Sequence, residues 1–287
     1  MSAVRRYLKA HRMTVVDVPA WILGMLASVL WIAPFIWMVS TSLKPREQVM
    51  TRYVEWLPSS VVIDNYVKVF EQPVARWALN SFIVSIAATA IGVLLGAMAG
   101  YALARLHFPG KSLVFGVLLA SLMIPTEMSV VPLYIAFLNV GLTDNYVAIV
   151  LPSIASVFSM YIFRQFFLGF PKEIEDAAAI DGASRLGTFF RIALPLARAP
   201  AIAATILLFT ANWNAYLWPL LIVFTEQMKT LPVGVAQFAP VTGAHTQISG
   251  FGPAMAAVTL LSIPSLGVFL LLQRYFIEGV TRSGIKG

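Results

Sequence analysis

The chain has 287 residues, of which 59% are hydrophobic and only 11% are charged. Soluble domains carry roughly 25% charged residues, so this composition excludes a soluble enzyme, and the hydrophobicity also excludes a disordered chain. The chain has no cysteine, which excludes a disulfide framework, a zinc-thiolate site and a cysteine nucleophile. The net charge is +7, but the basic residues lie between apolar blocks, so we predict the lipid bilayer as a partner and no nucleic acid.

Six apolar stretches are long enough to cross a membrane. A bilayer core of about 30 Å needs roughly 20 apolar residues in a helix, because every backbone polar group must be satisfied within the segment. The third stretch is interrupted by Pro125, Glu127 and Pro132. The sequence predicts an all-α integral membrane protein with six transmembrane helices, from about Trp21 to Val39, Asn80 to Ala104, Leu113 to Leu138, Tyr146 to Phe163, Ala199 to Phe224 and Pro253 to Leu272.

The connecting segments differ in charge. Fourteen of the 20 lysines and arginines lie in the two terminal tails and in the connections that follow the second and fourth stretches. Because positively charged loops are retained in the cytoplasm, both termini are predicted to be cytoplasmic. The first stretch is longer than the roughly 7 to 15 residues of a signal-peptide core and lacks a small-residue cleavage pattern, so we predict a retained anchor.

Two outer loops are predicted. The first, from Thr41 to Ala78, contains a short amphipathic stretch from Asp64 to Phe70 and is expected to lie on the membrane surface or against a partner. The second runs from Thr225 to Gly252 and is rich in Gly, Pro, Thr and Gln.

The sequence lacks the motifs of a protein that hydrolyses ATP by itself. The nearest match to a phosphate-binding loop is Gly110-Lys111-Ser112, but Arg105 stands where the first glycine belongs. The three histidines are too scattered for a metal site. Glu127 is the one clear ionisable candidate within a span, a thin basis for ion coupling. We therefore predict a pathway whose motor is another subunit.

The connection between the fourth and fifth stretches has the composition of two short helices. Pro171 suits a first helical position, and acidic residues follow it at the positive end of the helix dipole. Gly182 allows the left-handed turn that stops this helix, and Ser184 caps a second one that runs to about Leu194, before Pro195.

This connection resembles the "EAA" loop of membrane subunits of bacterial ABC importers that depend on a substrate-binding protein. In that family the loop forms a coupling helix that docks in a cleft of the ATPase subunit. The family usually has glutamate directly before the first two alanines, and this chain has Asp176, which keeps the charge with a shorter reach. The coupling residues that the resemblance implies are Glu175, Asp176, Ala177, Ala178, Asp181, Gly182, Ala183 and Pro195.

Four further stretches narrow the resemblance to the carbohydrate-importer branch, whose maltose-permease-like subunit has six spans. The resemblance implies a type I ABC importer transmembrane domain over residues 75–276. A tail, first span and outer loop (1–74) would precede it, and a cytoplasmic tail (277–287) would follow. The matching stretches are Asn80-Ser81, Ala99 to Lys111, Asn212 to Leu220 and the tail from Gln273 to Gly287.

The resemblance also implies a complex in the bacterial inner membrane. Its members would be a second permease subunit, an ABC ATPase dimer and an extracytoplasmic solute-binding protein. ATP and magnesium would be bound in the ATPase subunits, while this chain would bind no cofactor or metal and have no catalytic residue. The outer loop over residues 225–252 resembles the family loop that approaches the binding protein, so we expect it to help release the solute.

A path for a sugar needs hydrogen-bonding groups for the hydroxyls and aromatic faces for the rings. The fifth stretch supplies both in Asn212, Asn214, Tyr216 and Trp218, and Glu127 is a further candidate. Each residue has a structural alternative. Aromatic residues anchor spans at the interface, asparagines bond helix to helix, and a carboxylate between two prolines bonds freed backbone amides or lies near the outer surface.

Two alternatives to an importer permease remain at this point, and the solute is open. A stand-alone ion-coupled carrier or channel is the alternative function, and a non-transporting scaffold or receptor is a third. The solute could be a di- or oligosaccharide, a sugar alcohol or a glycerol-phosphate compound, because selectivity can lie in the binding protein and the other permease.

Overall fold

A computed structural model describes residues 17–49, 51, 53, 55–239 and 250–283. Within these ranges the ordered elements are helices, and no strand occurs, which confirms the predicted all-α class. The predictions for the first 16 residues, for residues 240–249 of the second outer loop and for the last four residues lie outside the described residues.

The α-helices follow one another with short connections. Short 3-10 turns lie at Leu151–Ser153, Glu226–Met228 and Ala236–Phe238, and a π-helical segment lies at Phe189–Ala193. The helix Asp64–Phe70 coincides with the amphipathic stretch of the first outer loop. In chain order the α-helices are Asp17–Ser42, Arg46–Val49, Asp64–Phe70, Val74–Arg105, Lys111–Ser121, Thr126–Asn139, Tyr146–Val150, Val157–Leu168, Lys172–Ile180, Arg185–Thr188, Leu194–Leu196, Arg198–Trp213, Leu217–Ile222, Leu231–Val235 and Phe251–Ser283.

Three of these helices are long and apolar enough to cross a membrane unaided, namely Val18–Ser42, Val74–Arg105 and Phe251–Gln273. Three bent pairs pass the same test together, which raises the number of spans to six if each pair is one span. In the most apolar part of Val74–Arg105, 39% of the residues are buried, compared with 6% and 11% in the other two. Val74–Arg105, the central helix, is therefore the span that forms the core.

The structure corrects the expectation of continuous fourth and fifth spans. The third stretch breaks into helices 111–121 and 126–139 at an angle of 98°, where a break was expected because Pro125 cannot donate a backbone hydrogen bond. The fourth bends by 44° between residues 153 and 157, and helices 185–196 and 198–213 meet at 78°. This 78° bend lies just before the predicted start of the fifth stretch at Ala199, and the fifth stretch itself is interrupted after Trp213.

Local hydrogen bonds explain the additional breaks. Ser156 ends the interruption in the fourth stretch by capping the next helix, since its side chain accepts from the Ser159 amide. In the fifth stretch, Asn212 and Asn214 donate through their side chains to the carbonyls of Leu208 and Thr210, both at 2.8 Å. Polar side chains that bond nearby backbone groups compete with the helical ladder, so these residues favour a helix end.

The chain divides into two compact units, and the first contains residues 1–71 and 238–260. The apolar side chains of the helix Asp17–Ser42 are largely exposed, as expected for a surface that faces lipid. At its end, the buried Asn65 amide donates to the carbonyls of Ser42 at 2.9 Å and Lys44 at 3.0 Å. These bonds fasten the first outer loop to the end of the span.

The second unit contains residues 72–237 and 261–287 and is built around the central helix. Gly96 and Gly100 let this helix approach the helix Val157–Leu168 closely. A Cβ atom at Gly100 would lie 2.7 Å from the Arg164 amide nitrogen and 2.8 Å from the Met160 carbonyl oxygen. Small residues allow such backbone contact between helices in membranes.

We expect Gly100→Ala to lower the thermal unfolding midpoint of the detergent-purified protein. The added methyl group would push two backbones apart, and overpacking of this kind destabilises by roughly 1 to 3 kcal/mol. The matched control is Gly116→Ala, in the helix Lys111–Ser121, where a Cβ atom meets nothing within 4 Å. Equal midpoints for the two variants would contradict the close-packing argument.

Candidate functional site

The loop that resembles the EAA motif begins with the helix Lys172–Ile180, here called the EAA helix. It ends on Gly182, whose φ of 81° lies in the left-handed region. The Gly182 amide donates to Ala179 at 3.1 Å and the Ala183 amide to Ala178 at 2.9 Å, which is the hydrogen-bond pattern of a Schellman turn. Ser184 then caps the next helix by accepting from the Gly187 amide at 3.1 Å. Both local predictions for this turn are confirmed.

The second helix of the loop is longer than expected. It continues through a π-helical segment, Phe189–Ala193, and ends at Leu196, so that Pro195 lies inside the helical run. The prediction that the helix stops before Pro195 was wrong. The wider π turn moves the backbone bonds by one residue, with the Leu194 amide donating to Phe189, and Pro195 needs no partner because it has no N–H.

The loop exposes a continuous surface. Ile180 is 87% exposed and Leu186 is 65% exposed, so a large apolar side chain is exposed on each side of the Gly182 turn. Ala178 is buried and Glu175 is partly buried, so these two of the predicted coupling residues face the protein. The remaining six are exposed: Asp176, Ala177, Asp181, Gly182, Ala183 and Pro195. Their contact with an ATPase stays a prediction.

Glu175 instead contacts the end of the central helix. Its Oε1 lies 3.2 Å from Arg105 Nε, without the alignment of a hydrogen bond, and both side chains are only 16% exposed. The Arg105 guanidinium also donates to the Phe170 carbonyl and lies 5.8 Å from the Phe170 ring centroid. In the sequence, Arg105 entered the charge distribution, the rejection of a phosphate-binding loop and the family-like stretch from Ala99 to Lys111, but no partner was predicted for it. Its pairing was missed because its partner lies 70 residues away.

A cavity of about 610 Å³ lies where the helices are interrupted. Its walls come from the break at 122–125, from the break at 154–156 and from the region after Trp213. Apolar side chains supply much of the lining, including Val84, Leu133, Ile149 and Leu208. Seven lining residues carry polar side-chain groups, namely Ser121, Thr126, Ser129, Ser153, Ser156, Asn212 and Trp218.

The structure separates the residues predicted for the solute pathway. Asn212 and Trp218 line the cavity, while Glu127, Asn214 and Tyr216 do not belong to its lining. Asn212 Oδ1 accepts no hydrogen bond from the described residues, since only its amide group has a partner, the Leu208 carbonyl. Trp218 Nε1 donates to the Ala148 carbonyl at 3.0 Å and leaves its ring for apolar contact.

The other three candidates have different environments. Asn214 donates to Thr210 and to Ser265 Oγ at 3.3 Å, which fits the alternative of an asparagine that bonds helix to helix. Tyr216 is 42% exposed. Glu127 is exposed in the first turn of the helix Thr126–Asn139. A role for these three in a pathway stays a prediction.

The five hydroxyl residues of the cavity were not singled out in the sequence. Serine and threonine are common in apolar spans, where their hydroxyls bond the preceding turn. The available signal was position, because all five lie within four residues of Pro125 or Pro152. Sequence alone does not indicate that two separate breaks meet at one cavity.

In the second unit, Asp144 joins the turn before the helix Tyr146–Val150 to residues 224 and 225. Its carboxylate accepts from the Phe224 amide at 3.0 Å and from the amide and hydroxyl of Thr225, both at 3.1 Å. Burial would raise the pKa of Asp144, but these three hydrogen bonds outweigh it and hold the pKa below its ordinary value. The charged form therefore stabilises this junction at neutral pH.

Comparisons with known proteins assign the chain to a family. A family model described as "Binding-protein-dependent transport system inner membrane component" matches residues 92–282. The arabinooligosaccharides transport system permease protein AraQ of Halalkalibacterium halodurans is 36% identical, covering 88% of this chain and 91% of its own. The lactose transport system permease protein LacG of Rhizobium radiobacter is 32% identical over 99% of both chains.

Two further comparisons agree. The sn-glycerol-3-phosphate transport system permease protein UgpE of Yersinia pestis is 36% identical over 74% of each chain. The crystal structure of a bacterial ABC transporter involved in the import of the acidic polysaccharide alginate contains a chain with a TM-score of 0.78. That chain is 20% identical, and the match covers 96% of this chain and 99% of the other. It shows that the two have the same fold.

The fold and these matches define a permease subunit of an ABC importer, a multi-pass membrane protein that works in a complex with other subunits. The chain belongs to the family of binding-protein-dependent transport system inner membrane components. This confirms the predicted permease class and the type I importer fold. The chain is the transport subunit of such an importer and not its ATPase. The relatives give no support to a stand-alone carrier or channel.

Proposed function

We propose that the chain forms half of the translocation pathway for a sugar or sugar-like solute. The observation that carries this is the cavity at the helix breaks, whose hydroxyl, amide and indole groups match the chemistry of a polyol. Its volume falls within the roughly 300 to 1,000 Å³ of pockets that hold small molecules. Relatives named for arabinooligosaccharide, lactose and glycerol-3-phosphate transport support the same class.

The proposed complex has four kinds of component. A second permease would complete the pathway, an extracytoplasmic binding protein would deliver the solute, and an ATPase dimer with ATP and magnesium would supply the energy. Both termini and the EAA helix would face the cytoplasm, in line with the distribution of lysine and arginine. No cofactor would be bound by this chain.

The EAA helix would dock on the ATPase. Exposed Ile180, and Leu186 beyond the turn, supply apolar contact, while Asp176 in the middle of the helix and Asp181 directly after it supply charge. Because a ligand moves a conformational equilibrium only through its differential affinity for the two states, ATP must favour the outward-facing state of the complex. Closure of the ATPase dimer would then move the EAA helix and open the cavity in alternation to the two sides.

The complex is tested by mass spectrometry of proteins that copurify with the tagged chain in mild detergent from its native host. We expect an ATPase, a second multi-span permease and a binding protein. Purification of the chain alone, together with solute flux in vesicles that lack ATP, would contradict the proposal and favour a carrier.

The coupling turn is tested by Gly182→Val. The left-handed conformation costs a residue with a Cβ atom about 1 to 2 kcal/mol, and more for a β-branched one, so the turn should distort and uptake should fall steeply. Membrane insertion should be unchanged, as measured by the amount of protein in isolated membranes. The matched variant is Gly182→Asn, because asparagine tolerates this conformation, and it should retain most of the uptake. Normal uptake by the valine variant would refute the coupling role.

The pathway is tested by Asn212→Ala, with Asn214→Ala as the control on the same helix. Loss of one hydrogen bond to the solute should raise the half-saturating concentration for uptake roughly three- to tenfold. The control should leave this concentration unchanged, because Asn214 does not line the cavity. Equal uptake constants for both variants and the unaltered chain would remove Asn212 from the pathway.

A further inference from the structure

Both ends of the central helix are fastened to segments that the proposed function places at opposite faces of the membrane. At one end, Arg105 is joined to the EAA loop through Glu175 and Phe170. Tyr101, one turn earlier, packs against Phe167 and Phe189 with ring centroids 5.2 Å apart in each case. Since Phe189 follows the turn at Gly182, both halves of the loop contact this end.

The opposite end holds residues 227–234, here called the 227–234 segment. The Asn80 side chain is fully buried and donates to the carbonyls of Gln227 and Lys229, both at 2.8 Å. Its Oδ1 accepts from the Tyr146 hydroxyl at 2.8 Å, so Asn80 uses its amide group and its oxygen together. Ser81 Oγ accepts from the Leu231 amide at 2.8 Å.

An aromatic contact completes this end. Trp77 is fully buried and its ring lies against Gly234, where even a Cβ atom would overlap the indole. Four points of the 227–234 segment are therefore held by three neighbouring residues of one helix. The segment belongs to the second outer loop, the loop expected to approach the binding protein, and described residues 235–239 follow it.

Between its two ends the helix is continuous. It has 32 residues, so Asn80 and Arg105 lie about 38 Å apart along its axis at 1.5 Å per residue. Within the second unit, the spans made of bent helix pairs contain breaks that can absorb a displacement. The central helix contains no break and packs tightly on the helix Val157–Leu168 through Gly96 and Gly100. A displacement at one end must therefore reach the other.

We propose that the central helix couples the EAA helix mechanically to the 227–234 segment, with Arg105 and Asn80 as the positioning residues at its two ends. This rests on the proposed function. Movement of the EAA helix on ATP binding would be carried through Arg105 along the helix and would shift the 227–234 segment through Asn80. Because the coupling of two binding equilibria is reciprocal, engagement of the binding protein at the outer end must in turn alter the affinity of the ATPase dimer for ATP, which hydrolysis measured below saturating ATP reports.

The test uses the whole complex reconstituted in vesicles of host lipids, with the binding protein as isolated from the host. ATP hydrolysis is measured with and without this binding protein. Arg105→Gln and Asn80→Ala should each lower the stimulation by the binding protein roughly fivefold or more, while the basal rate and the amount of assembled complex stay unchanged. A purely structural role would instead lower the basal rate and the yield together.

Four further variants sharpen the test. Glu173→Gln is the matched control for Glu175→Gln, because Glu173 lies on the same helix, is exposed and forms no ion pair with the described residues. Exchange of the two charges, Arg105→Glu with Glu175→Arg, should restore part of the stimulation. The double variant Arg105→Gln with Asn80→Ala should be no worse than either single one, because links in series are not additive.

Several outcomes would overturn the link. The link is refuted if the binding protein stimulates the Asn80→Ala complex as strongly as the unaltered one. It is also refuted if the losses of stimulation in the two single variants add up in the double variant. If Asn80→Ala does not assemble, Ser81→Ala decides, since it removes only the bond to Leu231: reduced stimulation supports the link and full stimulation refutes it. An unaltered complex that hydrolyses no ATP would refute the proposed function as well, whereas a stimulated complex with unaffected variants refutes the link alone.

Discussion

Backbone amides and carbonyls that lie in lipid have no water to bond, and this constraint governs the whole chain. It requires helices wherever the chain crosses the membrane, and it requires partners wherever a helix is interrupted. The breaks after Ser121, Ser153 and Trp213 surround one cavity, and two of its lining side chains bond backbone groups beside a break, Ser156 the Ser159 amide and Asn212 the Leu208 carbonyl. A feature that would be costly in isolation thus supplies the polar part of the proposed transport path.

The same constraint gives the uninterrupted central helix its importance. A helix without breaks transmits force along its axis, while a bent pair dissipates it at the hinge. Gly96 and Gly100 allow close packing along its length, and polar or aromatic side chains fasten both ends. The second unit therefore combines the unbroken central helix with three jointed spans, an arrangement that suits the proposed alternation between two states.

Features set by neighbouring residues were predictable from the sequence. The EAA turn is an example, because a left-handed glycine and a capping serine need only their own backbone neighbours. Hydropathy located the central helix, with its start at Val74 and not near Asn80, since the first turn lies outside the most apolar part. The break near Pro125 was also expected, although not its angle of 98°. The π-helical segment around Phe189 was missed, because it results from packing between helices.

By itself, the sequence determined that the chain is helical and lies in a membrane, which positions contain the turns of the EAA loop, and which family it resembles. These depend on composition and on contacts within a few residues. Only the tertiary structure decided that Asn212 and Trp218 line a cavity while Asn214 bonds Ser265, and that Glu175 faces Arg105. Such pairs are tens of residues apart, and whether they meet depends on the bend angles and the packing of whole helices, which no local pattern encodes.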